Sequence, residues 1–375
     1  MHALFPQRTT EDVARHAFLM ELKAVIAARI RPQIRHRFET QLASAFQVVH
    51  GGIAPDSQEM VSRFVESDAA WRWYSALSRA QQELYVDATA ECVERQAVAL
   101  RNRFVAVRSA QPRGTLHLDP TLSRPEYHSA VDIHCVPGGY SLELMPDDVY
   151  AGARYELGVS LYTLGRHGQR NDSKGQTGVA FLRRRFPDFR PSRILDLGCT
   201  CGNSTLPYAE AWPGAQVHAI DLSAPVLRYA HARAELLGST IHFRQANAEA
   251  TPYAAASFDL IVSHILLHET SRQAVANIFR ECRRLLRPGG VMLHVEVPVR
   301  NAHLDLLDRR LADWDTDHNN EVFWRGLHEL DVGALIASAG FPPESVFDEE
   351  FSAGQRAFNN GRPWWLVGAR AGGVS

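Results

Sequence analysis

The stretch Ile194-Leu-Asp-Leu-Gly-Cys-Thr-Cys-Gly-Asn-Ser204 decides the fold of this chain. Its apolar start suits a buried strand, and Gly198 and Gly202 stand where that strand would turn into a helix. A glycine-containing turn lets a ligand approach the backbone, and it leaves the first N–H groups of the helix pointing at that ligand. By itself the turn is a weak indication of function.

Strand-like and helix-like segments alternate from Arg193 onward. Alternation of this kind indicates parallel strands joined by right-handed helical crossovers. We therefore predict an α/β fold with a Rossmann-like, doubly wound, mostly parallel sheet of seven strands. The predicted strands are Arg193–Leu197, Gln216–Ile220, Ile241–Arg244, Phe258–Ser263, Val291–Val297, Glu344–Phe351 and Trp364–Ala369. The predicted helices between them are Asn203–Trp212, Ala224–Leu237, Ser271–Leu286 and Leu330–Ala339.

Polar side chains follow the second and third of these strands. Asp221 ends the second strand, where a carboxylate can take both hydroxyls of a ribose. Ala246-Asn247-Ala248-Glu249 follows the third strand and is positioned to meet an adenine edge. The pattern predicts a nucleoside-containing cofactor at the carboxyl end of the sheet.

Four successive pieces carry a family resemblance: Ile194-Leu-Asp-Leu-Gly-Cys199, Ala219-Ile-Asp-Leu222, Ser257-Phe-Asp-Leu-Ile-Val262 and Leu285-Leu-Arg-Pro-Gly-Gly290. In order and spacing the chain resembles class I S-adenosylmethionine-dependent methyltransferases, especially the small-molecule branch that includes ubiquinone and menaquinone biosynthesis enzymes. The resemblance covers about Pro191 to the C-terminus. Dinucleotide-binding dehydrogenases usually show G-x-G-x-x-G instead and lack the Arg-Pro-Gly-Gly turn.

The resemblance implies S-adenosyl-L-methionine as cofactor and gives roles to individual residues. Asp196 would receive the methionine amino group, and Gly198 and Gly202 would bring the backbone against the cofactor. Asp221 would bind the ribose, and Asn247, in place of a frequent aspartate, would pair with the adenine amino group through its carbonyl oxygen. Further residues implied at the cofactor are Cys199, Leu222, Ala248, Ser263 and Tyr162.

Catalytic candidates follow the fourth strand, in Ser263-His264-Ile-Leu-Leu-His268-Glu269. Methyl transfer is an in-line displacement, so the protein must align the acceptor and exclude water, and a base must take any acceptor proton. His268 is the first candidate base, with Glu269 as a possible orienting partner, and His264 would lie beneath the methionine. A histidine that caps a helix or faces solvent is the alternative.

Substrate-binding candidates lie between the fifth strand and the next helix, where related enzymes commonly carry part of a substrate lid. They are Trp314, His318, Asn319 and Trp324, whose side chains combine buried area with polarity. A solvated loop is the alternative. In the segment before the first strand, which often folds over the cofactor in this family, weaker candidates are His134, Cys135, Tyr140, Tyr155, Tyr162, Arg166 and Asn171.

The N-terminal half has a different character. Apolar positions recur at helical spacing over Asp12–Ile30 and Gln82–Val107, and prolines and glycines break the chain from about Pro112 to Pro146. We predict a mainly helical N-terminal domain over 1–145, a helical lead-in that covers the cofactor over 146–190, and the methyltransferase domain over 191–375.

Composition limits the possible partners and the compartment. The 375 residues are 45% hydrophobic and 22% charged, which is typical of a folded globular protein. A formal charge of −2 gives no positive field for nucleic acid, and the start of the chain and its apolar runs indicate neither a signal peptide nor a membrane span. Five cysteines without zinc spacing indicate a reducing compartment, the cytoplasm, and no metal.

These observations predict a methyltransferase that acts on a small molecule. A base-modifying DNA or RNA enzyme would show an Asn/Asp-Pro-Pro-aromatic run after the fourth strand, where this chain has Ser263-His264-Ile265-Leu266. Two alternatives stay open: a peptide or carrier-bound substrate, and a cofactor-binding protein that does not methylate. The N-terminal helices would either close the substrate pocket or build a homodimer.

Overall fold

A computed structural model of the protein describes residues 2–297, 304–353 and 363–372. Over these residues the chain builds one sheet of eight strands around which the helices pack. The strands are β1 Thr115–His117, β2 Arg193–Leu197, β3 Gln216–Asp221, β4 His242–Gln245, β5 Phe258–His264, β6 Leu286–Glu296, β7 Val346–Phe351 and β8 Trp364–Arg370.

The strand order is β1-β4-β3-β2-β5-β6-β8-β7. Strands β1 to β6 pair in parallel, β8 is antiparallel to β6, and β7 is antiparallel to β8. The predicted mostly parallel, Rossmann-like sheet is confirmed. Its strand number was wrong by one, because β1 adds to the edge at β4 from inside the proline- and glycine-rich stretch, where three residues are too short to show a period.

Helices cover both faces of this sheet. The apolar residues of β2, Ile194, Leu195 and Leu197, are fully buried, as expected for a strand covered on both sides. Ser223 caps the helix after β3 and Ser271 caps the helix before β6. The helices from residue 126 onward are α7 Glu126–Ser129, α8 Tyr150–Tyr162, α9 Ser173–Arg185, α10 Leu206–Ala211, α11 Ala224–Leu236, α12 Arg272–Leu285, α13 Leu306–Ala312, α14 Trp314–His318, α15 Trp324–His328 and α16 Val332–Ser338.

Residues 10–109 are mainly helical, as predicted, with two π-helical turns at Ile26–Ile30 and Phe38–Leu42. The α-helices of this N-terminal part are α1 Thr10–Val25, α2 Arg31–Arg37, α3 Ala43–Val49, α4 Gln58–Ser67, α5 Ala69–Glu94 and α6 Ala97–Ser109. Within the described residues, no helix is both long enough and apolar enough to cross a bilayer.

The N-terminal helices share their cores with the rest of the chain. One buried cluster joins Leu19 of α1 and Tyr85 of α5 to Leu157 of α8 and Tyr229 of α11. A second cluster joins α4 and α5 to the segment after β6, and its members include Val61, Val65, Trp71, Tyr74, Leu307, Leu311 and Trp314. The N-terminal helices therefore pack against α8, α11 and the segment after β6, and the predicted division at 145 and 190 stays a prediction.

Candidate functional site

The turn after β2 has the backbone that its glycines predict. Gly198 and Gly202 have φ values of +65° and +71°, in the left-handed region that favours glycine. A Cβ at Gly198 would lie 2.7 Å from Cδ1 of Leu266, so the turn also needs the missing side chain for space. The N–H of Cys199 donates to the carbonyl of Ile220, which holds the turn against β3.

Asp196, the penultimate residue of β2, has a buried carboxylate with one oxygen that lacks a hydrogen-bond partner. Its Oδ2 accepts a hydrogen bond of 2.5 Å from the hydroxyl of Thr205, whereas Oδ1 has no hydrogen-bond partner. His264 lies beside it, with Nδ1 at 3.5 Å from Oδ1 and Nε2 at 3.0 Å from the hydroxyl of Tyr208. An unpaired buried carboxylate oxygen is costly, so Oδ1 suits a cationic or N–H donor from a ligand.

Asp221 ends β3 next to the turn. Oδ1 accepts from the N–H of Ser223 and Oδ2 from the N–H of Thr200, both at 2.9 Å. Burial raises the pKa of this carboxyl, against the lowering effect of the two backbone donors. A carboxylate has about four acceptor positions, so both oxygens keep room for hydroxyl donors.

Asn247 lies in a turn after β4. Its Oδ1 accepts from the N–H of Glu249 at 2.9 Å, which leaves one lone pair of the amide oxygen for another donor. The backbone on either side is tied down, because the N–H of Ala246 donates to the Asp221 carbonyl and Gln245 donates to the Leu222 carbonyl. Leu222 and Ala248 are half-buried beside these bonds.

Ser263 and the two cysteines of the turn are held by the protein itself. The Ser263 hydroxyl lies 2.6 Å from Nδ1 of His294, a ring that burial keeps neutral by lowering its pKa to about 3. Cys199 is buried in the sheet core and Cys201 in the cluster with Tyr229. Burial raises the pKa of the Cys201 thiol to about 12, so this thiol is protonated at neutral pH.

His268 is oriented by Glu296 at the end of β6, and the suggestion that Glu269 orients it was wrong. Nδ1 of His268 lies 2.7 Å from Oε2 of Glu296, and both side chains are buried. Burial lowers the pKa of His268, but the attraction of Glu296 outweighs it and raises that pKa to about 9. At neutral pH His268 is therefore a cation and a hydrogen-bond donor, because its base position is already protonated.

Glu269 belongs to a second cluster, with His134 and Glu321. Nε2 of His134 lies 3.5 Å from Glu269, and Nδ1 lies 3.1 Å from Glu321. Burial lowers the pKa of His134, but the two carboxylates outweigh it and raise that pKa to about 9. Tyr140 donates a hydrogen bond of 2.8 Å to Glu269.

This cluster is the group of described side chains whose atoms could converge on a metal ion, since one ligand atom of each lies within 4.8 Å of the others. The imidazole of His134 stands between the carboxylates of Glu269 and Glu321 and faces each with a different nitrogen. A metal would bind through only one of these nitrogens, so the geometry is that of an ion-pair triad.

The four predicted substrate-binding residues are divided by the fold. Trp324 packs edge-on against the ring of His268, with centroids 5.0 Å apart, and Asn319 accepts from the Cys135 thiol. Trp314 instead lies in the core under α5, where its Nε1 donates to Ser75, and His318 packs on the Trp314 ring. The structure thus brings Trp324 and Asn319 to the site and places Trp314 in packing.

These clusters belong to one group of polar side chains, which we call the polar chamber and whose titratable groups interact with one another electrostatically. Its members are Lys23, His134, Tyr140, Tyr155, Tyr162, His268, Glu269, Asp315 and Glu321. Seven of these side chains are only half-buried by surface area. Burial raises the pKa of the three tyrosines, whereas neighbouring carboxylates outweigh burial at the two histidines. Tyr155 connects the chamber to the turn, because its hydroxyl interacts with Thr200 and Asp221.

Sequence reasoning missed Lys23, Glu296 and Glu321. Glu296 ends β6 and His264 ends the neighbouring β5, and the expected adjacency of these strand ends was an available signal. Glu321 directly follows the polar cluster that was singled out. Nothing near Lys23 in the sequence distinguishes it from a solvated position on a helix.

Residues 194–290 match a protein family described as "Methyltransferase domain". Over these residues, which run from β2 into β6, the chain is similar to methyltransferase domains. S-adenosyl-L-methionine is the cofactor that the sequence resemblance implies for this region.

Curated relatives match parts of the same region. The chain is 41% identical over 97 residues to an uncharacterized protein of Mycobacterium tuberculosis, which is 25% of this chain and 35% of the relative. It is 34% identical over 128 residues to a malonyl-[acyl-carrier protein] O-methyltransferase of Enterobacter lignolyticus, 34% of this chain and 47% of the relative. The chain therefore covers less than half the length of these relatives.

A solved structure also matches in part. The S-adenosylmethionine-dependent methyltransferase of Mesorhizobium loti is 26% identical, with a TM-score of 0.37, and the match covers 51% of this chain and 96% of that chain.

The turn after β2 and the ends of the neighbouring strands offer partners for the cofactor that the resemblance implies. The left-handed Gly198 and Gly202 open the backbone of the turn, and the unpaired Oδ1 of Asp196 is a ready acceptor for an amino group. Asp221 offers its remaining lone pairs at the end of the neighbouring strand. The residues present fit S-adenosyl-L-methionine, and their individual roles stay predictions.

Proposed function

We propose that the protein transfers the methyl group of S-adenosyl-L-methionine to a small molecule held inside the polar chamber. The observation that carries this proposal is the chamber itself, which adjoins the methyltransferase turn through Tyr155. Enclosed sites with a few convergent polar groups and perturbed pKa values are typical of small-molecule sites.

Asp196, Asp221 and Asn247 would hold the cofactor by its amino group, ribose and adenine. When bound, the cofactor supplies an electrophilic methyl group on a sulfonium. The protein's own contribution is to exclude water and to fix the acceptor near that methyl, for which carbon and nucleophile must come within about 3–3.5 Å. The aromatic side chains Tyr140, Tyr155 and Tyr162 supply walls for this purpose, and their hydroxyls are protonated because burial raises each pKa.

A carrier-bound substrate is the second candidate, and the relative named as a malonyl-[acyl-carrier protein] O-methyltransferase favours it. A carrier would have to deliver its group through an opening in the chamber. The segment that holds α13 and α14 packs against α4 and α5 in one buried cluster, and we expect a small molecule, not a carrier, to be held behind it.

Labelled-methyl transfer tests the proposal. The protein is incubated with methyl-labelled S-adenosylmethionine and a cell extract, and the label is followed into small-molecule and protein fractions. Label in a small molecule supports the proposal, and label on a carrier protein supports the second candidate. Calorimetric binding of S-adenosylmethionine without any transfer would favour a protein that does not methylate.

A further inference from the structure

The sequence uses lysine very sparingly. Its 40 basic residues are 38 arginines and two lysines, Lys23 and Lys174. Both amines are inside the protein: Nζ of Lys23 is buried, and Lys174 is 5% exposed. Arginine stays charged throughout the physiological pH range, whereas a buried lysine can lose its proton. The chain therefore keeps its two deprotonatable amines for buried positions.

Lys23 reaches the polar chamber from α1. Its stem is half-buried, and its Nζ lies over the ring of Tyr162, 2.7 Å from the centroid. This buried nitrogen has no hydrogen-bond partner among the described residues. Burial lowers the pKa of the amine to about 7, against the opposing attraction of Asp315. A neutral amine with a free lone pair is thus available near neutral pH.

The other nitrogen bases of the chamber are already occupied. His268 is paired with Glu296, and His134 stands between Glu269 and Glu321. Each imidazole has a pKa raised to about 9 by these carboxylates, against the effect of burial, so each carries its proton at neutral pH. A protonated imidazole cannot take a second proton.

We propose that Lys23 is the catalytic base of this enzyme and that the acceptor is an acidic hydroxyl, phenolic or enolic. The inference rests on the proposed function and adds the group that accepts the proton and the class of acceptor. An acceptor hydroxyl would supply the hydrogen-bond partner that the buried Nζ lacks. Tyr162, whose ring already contacts Nζ, supplies a flat surface for an aromatic or enolic acceptor.

The proposed step balances without a further reagent. The O–H bond of the acceptor breaks, and its proton goes to the lone pair of Lys23 Nζ. The oxygen electron pair forms the new bond to the methyl carbon, and the electrons of the broken C–S bond stay on sulfur in the neutral thioether product. The ammonium of Lys23 then returns its proton to solvent after product release.

The groups that surround this amine set its proton affinity. Asp315 of α14 attracts the ammonium form of Lys23, and burial raises the pKa of the Asp315 carboxyl. Other titratable and charged groups interact with Lys23, Asp315 or their neighbours. They are Tyr162 of α8, Tyr74 and Tyr85 of α5, Arg31 of α2, Arg310 of α13, His134 and Glu321.

The first test measures the amine without any substrate. Lysine labelled with ¹³C at Cε gives two side-chain signals in this chain, and Lys23→Arg identifies which belongs to Lys23. We expect that signal to titrate near pH 7 in the full-length protein. A midpoint above pH 9 would overturn the proposal, because the amine would then be charged at neutral pH.

The second test measures transfer of labelled methyl into a metabolite extract. Lys23→Arg keeps the positive charge but supplies no neutral amine, and Lys23→Met removes the nitrogen. We expect both variants to lose about 10²–10⁴-fold in rate, the contribution of a general base, with unchanged affinity for S-adenosylhomocysteine. Glu21→Gln, on the exposed side of the same helix, is the matched control and should keep the wild-type rate.

A role in packing alone is separated by the pH profile. The wild-type rate should fall tenfold per pH unit below about pH 7, and the residual rate of Lys23→Met should lose this acid limb. Lys23→Arg with a rate within threefold of an active wild type overturns the role of Lys23 and leaves the proposed function standing. A wild-type protein that transfers no label overturns the proposed function and the base together.

Discussion

His268 and Glu296 form a buried ion pair that connects the ends of β5 and β6, with Nδ1 2.7 Å from Oε2. The second oxygen of Glu296 accepts from the N–H groups of Leu266 and Leu267 at 2.8 and 2.7 Å. One carboxylate thus fixes both the backbone of the turn after β5 and the charge of the histidine in it.

Replacing Glu296 with glutamine should lower the pKa of His268. The amide keeps an oxygen for the two backbone donors but loses the charge, so burial lowers the histidine pKa from about 9 against the remaining attraction of Glu321 and Glu269. The unfolding free energy should fall by about 1.5–3 kcal/mol, the value of a hydrogen bond to a charged group. NMR titration of the His268 ring measures the pKa, Glu344→Gln on the exposed surface is the control, and a ring still protonated above pH 8 contradicts the prediction.

Stability of the wild-type protein should fall as pH rises from about 6.5 to 9. The pKa values of His268 and His134 are raised in the folded state, so the stability they contribute is complete below the unfolded value and is lost through the folded one. His268 alone accounts for about 3 kcal/mol over this interval. Urea unfolding at pH 6, 7.5 and 9 measures the loss of unfolding free energy, and this loss should be smaller in Glu296→Gln. Equal stability of the wild-type protein at the three pH values would contradict the prediction.

The part of the site that could be predicted from the sequence is formed by residues close together in the chain. Asp196, Gly198 and Gly202 belong to one strand, one turn and one helix start, so local rules place them. The partner of His268, Glu296, is 28 residues further along the chain. The two side chains meet because β5 and β6 lie side by side in the sheet. Glu269 was the nearest carboxylate in sequence, but neighbouring residues in a tight turn point in different directions.

Lys23 shows the same limit more strongly. Its amphipathic helix was predicted from the sequence. The surroundings of the lysine, however, depend on the packing of α1 beside α5 and α8 and on the proximity of Asp315 of α14. The edge strand β1 is comparable, because its three residues acquire strand geometry only through β4. The local sequence pattern predicts individual helices and strands. The position of Lys23 and the strand β1 depend instead on contacts between parts of the chain that are distant in sequence.

Glu156 should be among the most important residues for stability. Its carboxylate accepts from Arg233 at 2.8 Å, Tyr229 at 2.6 Å and His2 at 2.9 Å, and the Arg233 pair is only 2% exposed on each side. Burial raises its pKa, but Arg233 and the other donors outweigh this and lower it to about 2. Glu156→Gln should cost about 3–5 kcal/mol, because it leaves Arg233 as an uncompensated buried charge.

The matched control for Glu156 is Glu59→Gln, which breaks the exposed pair with Arg63 and should cost under about 0.5 kcal/mol. The depressed pKa also predicts that the contribution of Glu156 is present above about pH 4.5 and is lost toward pH 2. Denaturant unfolding of both variants at pH 7 compares them. Equal losses would mean that the buried pair contributes no more than a surface pair.

Asp221→Asn should weaken binding of S-adenosylmethionine while the protein stays folded. The amide oxygen can still accept from the N–H of Thr200 or Ser223, but it loses the charge and one acceptor atom that ribose hydroxyls would use. A loss of about 1.5–3 kcal/mol, roughly 10- to 150-fold in Kd, is expected for hydrogen bonds to a charged group. Calorimetry measures the affinity and thermal unfolding checks the fold, with exposed Asp188→Asn as the control. An unchanged affinity in Asp221→Asn would contradict a role for Asp221 in binding the cofactor. Among the described residues of this turn, Asp221 is the carboxylate at the end of β3, so no neighbouring carboxylate would replace it.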